Sequence, residues 1–330
     1  MDKVLMASAS PHKKTSLTTR RIMIDVLIAL IPTAVMGIIY FGFKAAKVAG
    51  LSVITCVVTE VIWQFVCGLT WKEIWKRFDF TSVVTGVLLA MCFNSLTPWY
   101  VVMISAAFAI GMVKMLFGGT GKNIVNPAIC GRVFALIAFP AAMTAGYVLP
   151  AFTPDTVTTG ATPLVSILEG NTNLVGIPTV WQMFLGIGMQ GIYGETCKLA
   201  ILVGYAYLVI RKVIDWKWPL ITIGMCGLTH VVLNGFNFSL FLPYIFTGGL
   251  FIGAIFMATD YVTSPNTQIG NLVYYTVLGA FIAVLRHVTK MEVVSFAILL
   301  MNLLVPMIDR FCRPHPFGYT KPEKNKEAAK

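Results

Sequence analysis

The residues best placed to do chemistry lie in one Thr-rich stretch, Thr153-Pro154-Asp155-Thr156-Val157-Thr158-Thr159-Gly160-Ala161-Thr162-Pro163-Leu164. Asp, Thr, Pro and Gly favour a turn that displays a hydroxyl. Gly160 and Ala161 carry almost no side chain, so a bulky donor or a modifying enzyme can approach the Thr162 hydroxyl closely. Pro163 then stiffens the chain beyond the turn. Taken by itself, such a stretch reads first as an ordinary turn between helices.

The other reactive groups are ionisable side chains inside apolar runs. Glu60 lies well within one, where a charge is costly unless paired or hydrated; it is a candidate for ion passage or for a buried pair. His230 is a candidate proton relay, with a hydrogen-bonded structural histidine as the plainer reading. Asp25 follows Arg20 and Arg21 by about a turn and reads as their interfacial partner. Lys114 reads as a side chain that snorkels to the headgroups. The run Gly118, Gly119, Thr120, Gly121, Lys122, Asn123 lacks the spacing of a phosphate loop and comes after an apolar segment rather than a strand, which excludes nucleotide hydrolysis. With Asn126 and Pro127 behind it, it reads as a re-entrant or broken segment, covered by protein or water.

The elements that must position these groups are membrane helices. Hydrophobic residues make up 57% of the 330, charged residues only 12%, and mean hydropathy is +0.79, far from the soluble norm. A span needs roughly 20 apolar residues, so the runs from Ile22 to Met307 leave room for about ten. They predict helices near 22–42, 47–69, 82–97, 99–116, 130–149, 194–212, 218–235, 240–258, 271–286 and 292–309. The predicted fold is therefore an all-α integral membrane protein. Residues 1–21 and 313–330 form polar tails. Residues 22–149 and 181–312 form two transmembrane halves, and 150–180 is the long loop between them. The polar, basic start and the length of the first apolar run argue against a cleavable signal peptide.

Lys and Arg set the orientation. They gather before the first helix (Lys13, Lys14, Arg20, Arg21), after the second (Lys72, Lys76, Arg77), around the fourth-to-fifth loop (Lys114, Lys122, Arg132), after the sixth (Arg211, Lys212, Lys217) and after the tenth (Arg310, Arg313). Every second loop is basic, which predicts both termini inside and the Lys- and Arg-free loop 150–180 outside. Lys44, Lys47, Arg286, His287 and Lys290 fall on predicted outer turns, where they are expected to snorkel. Trp71, Trp75, Trp99, Tyr100, Trp181, Trp216 and Trp218 suit an interfacial belt. The net charge of +11 is thus orientation, and nucleic-acid binding is not expected. The seven cysteines are scattered without a C-x-x-C pair. They read as small buried hydrophobes, not as a disulfide framework, a metal site or a cluster held by this chain alone. Leu96 to Tyr100 before Asn126-Pro127, and Phe241 to Tyr244 before Ser264-Pro265-Asn266, hint at a five-plus-five internal repeat, a plan in which interrupted helices lie near the functional path.

Four stretches together resemble a known family: Ser10-Pro11-His12 with Thr19 to Leu30, Gly118 to Arg132, Thr159 to Leu164, and Ala258-Thr259-Asp260-Tyr261-Val262-Thr263-Ser264-Pro265. In this order, and over almost the full length, they are similar to the NqrB/RnfD family, the large membrane subunits of Rnf complexes and of sodium-pumping NADH:quinone oxidoreductases. The short N-terminal extension favours the RnfD branch. The resemblance implies that Thr159-Gly160-Ala161-Thr162 is a flavinylation signal whose Thr162 hydroxyl forms a phosphoester with FMN, attached by a flavin transferase. Thr159 stands where Ser is commoner, without consequence for the acceptor.

The resemblance further implies flavin and partner contacts near Asn123, Asn126, Arg132 and Asp260, each otherwise a cap or hinge. It also implies a second, noncovalent flavin such as riboflavin. The implied activity is electron transfer between reduced ferredoxin and NAD, coupled to Na⁺ or H⁺ movement across a bacterial inner membrane. Neither an NAD site nor a cluster motif is present, so flavin- and iron–sulfur-bearing partner subunits would supply both. The alternatives are the NqrB-type subunit of a quinone oxidoreductase, a cofactor-free transporter or channel on the same frame, and a scaffold that only anchors its neighbours.

Overall fold

The computed structural model describes residues 18–144, 163–169, 178–188 and 191–313. Thr159, Gly160, Ala161 and Thr162 lie outside these. Among the described residues the fold is all-helical, without a strand, and exposed Ile, Val, Leu and Phe side chains cover its flanks. Lipid-facing helices need no polar outer face, and the chain is a multi-pass membrane protein.

Helix α1 (Thr19–Val66) covers both of the first two expected spans. Its two legs meet at Gly42, whose φ of 67° and ψ of −157° break the helix in place of a loop over 43–46. The second leg leads to a short helix, α2 (Trp71–Arg77), where the charges predict a loop. Next, α3 (Thr81–Ala90) stops short of its expected end at 97. Its ten residues reach only about 15 Å, half a bilayer core. After the break over 91–98, α4 (Trp99–Phe108) runs on into a π-helical segment, Ala109–Met115. Helix α5 (Pro127–Ala138) is capped by Asn126 and opened by Pro127. Short helices α6 (Pro140–Thr144), α7 (Pro163–Leu168) and α8 (Val180–Leu185) come next.

Helices α9 (Lys198–Ile210) and α10 (Lys217–Leu233) begin the second half. The expected helix over 240–258 is broken. A 3₁₀ turn (Phe238–Leu240) and α11 (Phe241–Ile245) are separated by 246–249 from α12 (Leu250–Ile252) and a second π-helical segment, Gly253–Met257. The two parts meet at 71°. Long helices α13 (Gln268–Thr289) and α14 (Val294–Phe311) complete the bundle. Thus the second half contains a helix interrupted in mid-course, and each half a π-helical segment that runs into a polar loop. Pro98 caps α4 whereas Pro243 lies within α11, so the two sequence strings that suggest a repeat occupy different places.

Close helix approach rests on small residues, as expected where lipid supplies no hydrophobic drive between helices. A Cβ on Gly86 of α3 would stand 2.7 Å from the Val53 Cα of α1. Beside it, the Ser52 hydroxyl donates to the Gly86 carbonyl at 2.8 Å.

Candidate functional site

The loops over 116–126 and 258–267 meet at one end of the bundle. Thr81 and Thr120 hydroxyls are 3.3 Å apart, and the Tyr261 hydroxyl donates to the Val213 carbonyl. Asn126 accepts from the Ala128 N–H at 3.0 Å and donates its amide to the Met257 carbonyl at 3.1 Å. It is therefore both the cap of α5 and the bridge to the second π-helical segment. Asn302 of α14 ties both loops from beneath: its carbonyl accepts from the Asn126 N–H at 3.3 Å, and its amide donates to the Thr263 carbonyl at 3.3 Å and the Tyr274 hydroxyl at 2.8 Å.

Between these loops lies a cleft of about 110 Å³, walled by apolar side chains such as Val84, Leu88, Ile255 and Phe256, with Asn123, Asn126, Thr259 and Asp260 at its polar edge. Asn123 donates to the Val125 carbonyl at 3.1 Å and bonds to Asp260. Burial pushes the Asp260 carboxyl above its ordinary range, against bonds from the Val262 N–H, the Thr263 hydroxyl and Asn123. Three of the sequence-predicted residues, Asn123, Asn126 and Asp260, are thus brought together.

Behind the cleft, Lys114 lines its wall and is only 2% exposed. It does not snorkel: its ammonium is 2.9 Å from Glu60 Oε1. The Ser82 hydroxyl also donates to Glu60, and Lys114 donates to Thr81. Glu60 is therefore the acid of a closed, buried ion pair. Asp25 pairs with Arg211 at 3.3 Å and accepts from Tyr207 at 3.0 Å, across helices rather than along its own.

Arg132 lies apart from the cleft, at a second cluster around the helix breaks. It faces Glu195 at 3.5 Å, and the Lys198 ammonium donates to the Glu195 carbonyl. The Gly194 N–H donates to the Met91 carbonyl at 3.0 Å, joining this segment to the break after α3. From the break before α12, a Cβ on Gly249 would lie 2.7 Å from Glu195 Oε1.

Arg286, expected at the headgroups, is 0% exposed. It pairs with Glu292 at 2.6 Å, and its guanidinium stands 5.2 Å over the Tyr244 ring. His230 also stacks on Tyr244 with centroids 3.6 Å apart, and its ring is within 3.2 Å of the Asn234 amide. Among the described residues, Arg286 Nε and Nη1 and Glu195 Oε1 have no hydrogen-bond partner. Sequence reasoning passes over Glu195, Lys198 and Glu292. Their signal is their type, since charges at the ends of membrane helices need partners.

All seven cysteines are free, and no group of three metal-ligating side chains occurs among the described residues.

Broken helices, facing polar loops and buried ion pairs inside an apolar bundle are features of membrane transport proteins. Residues 6–318 match the NQR2, RnfD, RnfE family, and the chain belongs to that family. It is 36% identical over 326 residues to the D subunit of the Na(+)-translocating ferredoxin:NAD(+) oxidoreductase complex of Acetobacterium woodii, covering 98% of each chain. It is 37% identical over 326 residues to the D subunit of the proton-translocating ferredoxin:NAD(+) oxidoreductase complex of Clostridium ljungdahlii, covering 96% of each. It is 34% identical over 340 residues to the D subunit of the ion-translocating oxidoreductase complex of Stutzerimonas stutzeri, covering 94% of this chain and 95% of that one.

Proposed function

We propose that this chain is the D subunit of an ion-translocating ferredoxin:NAD oxidoreductase complex and carries FMN esterified to Thr162. The observation that bears most weight is the T-G-A-T stretch ending at Thr162, set in a chain that resembles named D subunits over nearly its whole length. Bound flavin supplies one-electron chemistry between the redox centres of partner subunits; this chain's part is to hold it. The bias of Lys and Arg toward alternate loops supports cytoplasmic termini and a Thr162 loop on the opposite side.

Asn123, Asn126 and Asp260, at the edge of the cleft between the two loops, are the residues that would hold a noncovalent flavin. For ion movement, the cluster of Glu195, Arg132, Arg286 and Glu292 is better placed than Glu60, because it adjoins the interruption between α11 and α12 and interrupted helices lie near transport paths. Two relatives of near-equal similarity are named for sodium and for protons, so similarity alone gives no basis for choosing the ion.

The test is in-gel flavin fluorescence of the full chain made together with its flavin transferase. The wild type should fluoresce under denaturing conditions and Thr162→Ala should not. A dark wild type would favour a cofactor-free transporter. Fluorescence that vanishes in Thr162→Ala while the assembled complex keeps electron transfer would favour a scaffold. Activity in sealed vesicles with and without sodium then identifies the ion.

A further inference from the structure

Helix α2 and the second leg of α1 enclose an apolar groove of about 270 Å³. From α1 come Val57, Val58, Val61 and Ile62; from α2 and its end come Trp71, Ile74, Trp75 and Phe78. The spacing 71, 74, 75, 78 is one face of a helix. Lys72, Lys76 and Arg77 are exposed away from that face. The groove's lips are open, with Trp71 53% and Trp75 60% exposed, and they stand on the lipid-facing flank of α1. Successive aromatic pairs run along the helix, from Phe65 on Trp71 at 5.7 Å to Phe78 on Phe80 at 5.1 Å. Arg20 lies 5.2 Å over Phe80 and adds a fourth cation.

A short helix with Trp on one face and Lys and Arg on the other lies in the plane of a membrane interface. We propose that this groove is a binding site for one anionic phospholipid, its acyl chain between α1 and α2 and its phosphate among Lys72, Lys76 and Arg77. Charge complementarity selects an anionic headgroup, because three exposed cations, Lys72, Lys76 and Arg77, face one acid on this helix, Glu73, whose carboxylate is turned back to the Thr70 N–H at 2.9 Å and the Thr70 hydroxyl at 2.7 Å. The helix is thus left with a net positive, outward-facing charge. The capping box also fixes the start of the helix and so the direction of its cationic face.

Native mass spectrometry of the detergent-purified full chain tests this, with phosphatidylglycerol and phosphatidylcholine of the same acyl chains added in turn. Wild type should retain one phosphatidylglycerol under activation that strips phosphatidylcholine. Each cation neutralised among Lys72→Gln, Lys76→Gln and Arg77→Gln should weaken phosphatidylglycerol retention about fivefold. Val58→Trp, which fills the groove at an exposed lip, should reduce retention of both lipids. Equal retention of the two lipids would overturn the proposal. So would displacement of phosphatidylglycerol by inorganic phosphate, which would make it a phosphate site. Loss of the adduct when the chain sits in its complex would overturn it too, assigning the groove to a neighbouring protein.

Discussion

Lys114, on the first π-helical segment, holds its ammonium 2.9 Å from the Glu60 carboxylate on the second leg of α1, with both side chains buried. A π-helical turn widens the helix by one residue and is frequent at functional sites; here it accompanies a lysine turned into the bundle toward its acid. Removing one partner leaves an uncompensated charge. Lys114→Met should therefore cost about 3–5 kcal/mol, and Glu60→Gln with Lys114→Met should recover most of the loss. Thermal unfolding of the single and double variants in detergent measures this. Additive losses would mean that the two groups do not interact.

The Arg286 and Glu292 pair makes a second demand on stability. A headgroup-facing arginine could be replaced with little effect, whereas buried Arg286→Gln should cost about 3–5 kcal/mol by stranding Glu292. Gly248→Ala should behave similarly. Gly248 has φ of 69°, and its added Cβ would fall on Glu292 and 2.8 Å from Arg286. The left-handed backbone alone costs about 1–3 kcal/mol for a residue with a side chain. Expression and Tm near wild type for both variants would return Arg286 to the membrane surface.

The cleft should lose its noncovalent flavin separately from the covalent one. Asp260→Asn and Asn123→Ala each remove a charged or polar contact at its rim, worth about 1–3 kcal/mol, or roughly five- to a hundredfold in affinity. Riboflavin released by acid precipitation should fall by that factor while in-gel fluorescence is unchanged. Loss of both signals together would instead indicate a misfolded chain.

Asp79, in the connection before α3, couples this end of the bundle to pH. Burial pushes its carboxyl up, but the Thr81 hydroxyl, Lys114, the Thr120 hydroxyl and the Thr81 N–H together outweigh that and hold it below the usual range. A lowered carboxyl favours folding in its charged form. Its contribution is complete above the ordinary carboxylate pKa and disappears as pH falls through the lowered value. Tm should accordingly fall on acidification less steeply in Asp79→Asn than in wild type. A parallel acid limb in the two proteins would show that Asp79 carries no such linkage.

Much of the frame was legible in the sequence because lipid enforces long apolar runs, and helix occupies part or all of each one. The interruptions were not legible. A break within an apolar run is possible only where another segment satisfies the freed backbone, as the Gly194 N–H does for the Met91 carbonyl over a hundred residues away. The role of Lys114 was hidden for the same reason, since Glu60 lies 54 positions earlier. Arg286 has its partner only six positions on, and an acid so near a membrane arginine was a usable sign. The spacing of Trp71, Ile74, Trp75 and Phe78 likewise announced α2, but its seven residues were hidden by their charges. At the cleft, Asn123, Asn126 and Asp260, which the family resemblance groups, do lie together, whereas α5 carries Arg132, grouped with them there, to the other cluster.

Peptide mass spectrometry of the native chain, isolated from membranes that also contain the flavin transferase, reads the modification at its attachment atom. The peptide containing Thr162 should carry the mass of FMN less one water, and the Thr162→Ala peptide should carry none. An unmodified Thr162 in wild-type protein from an active complex would contradict the assignment of this chain as a flavin carrier.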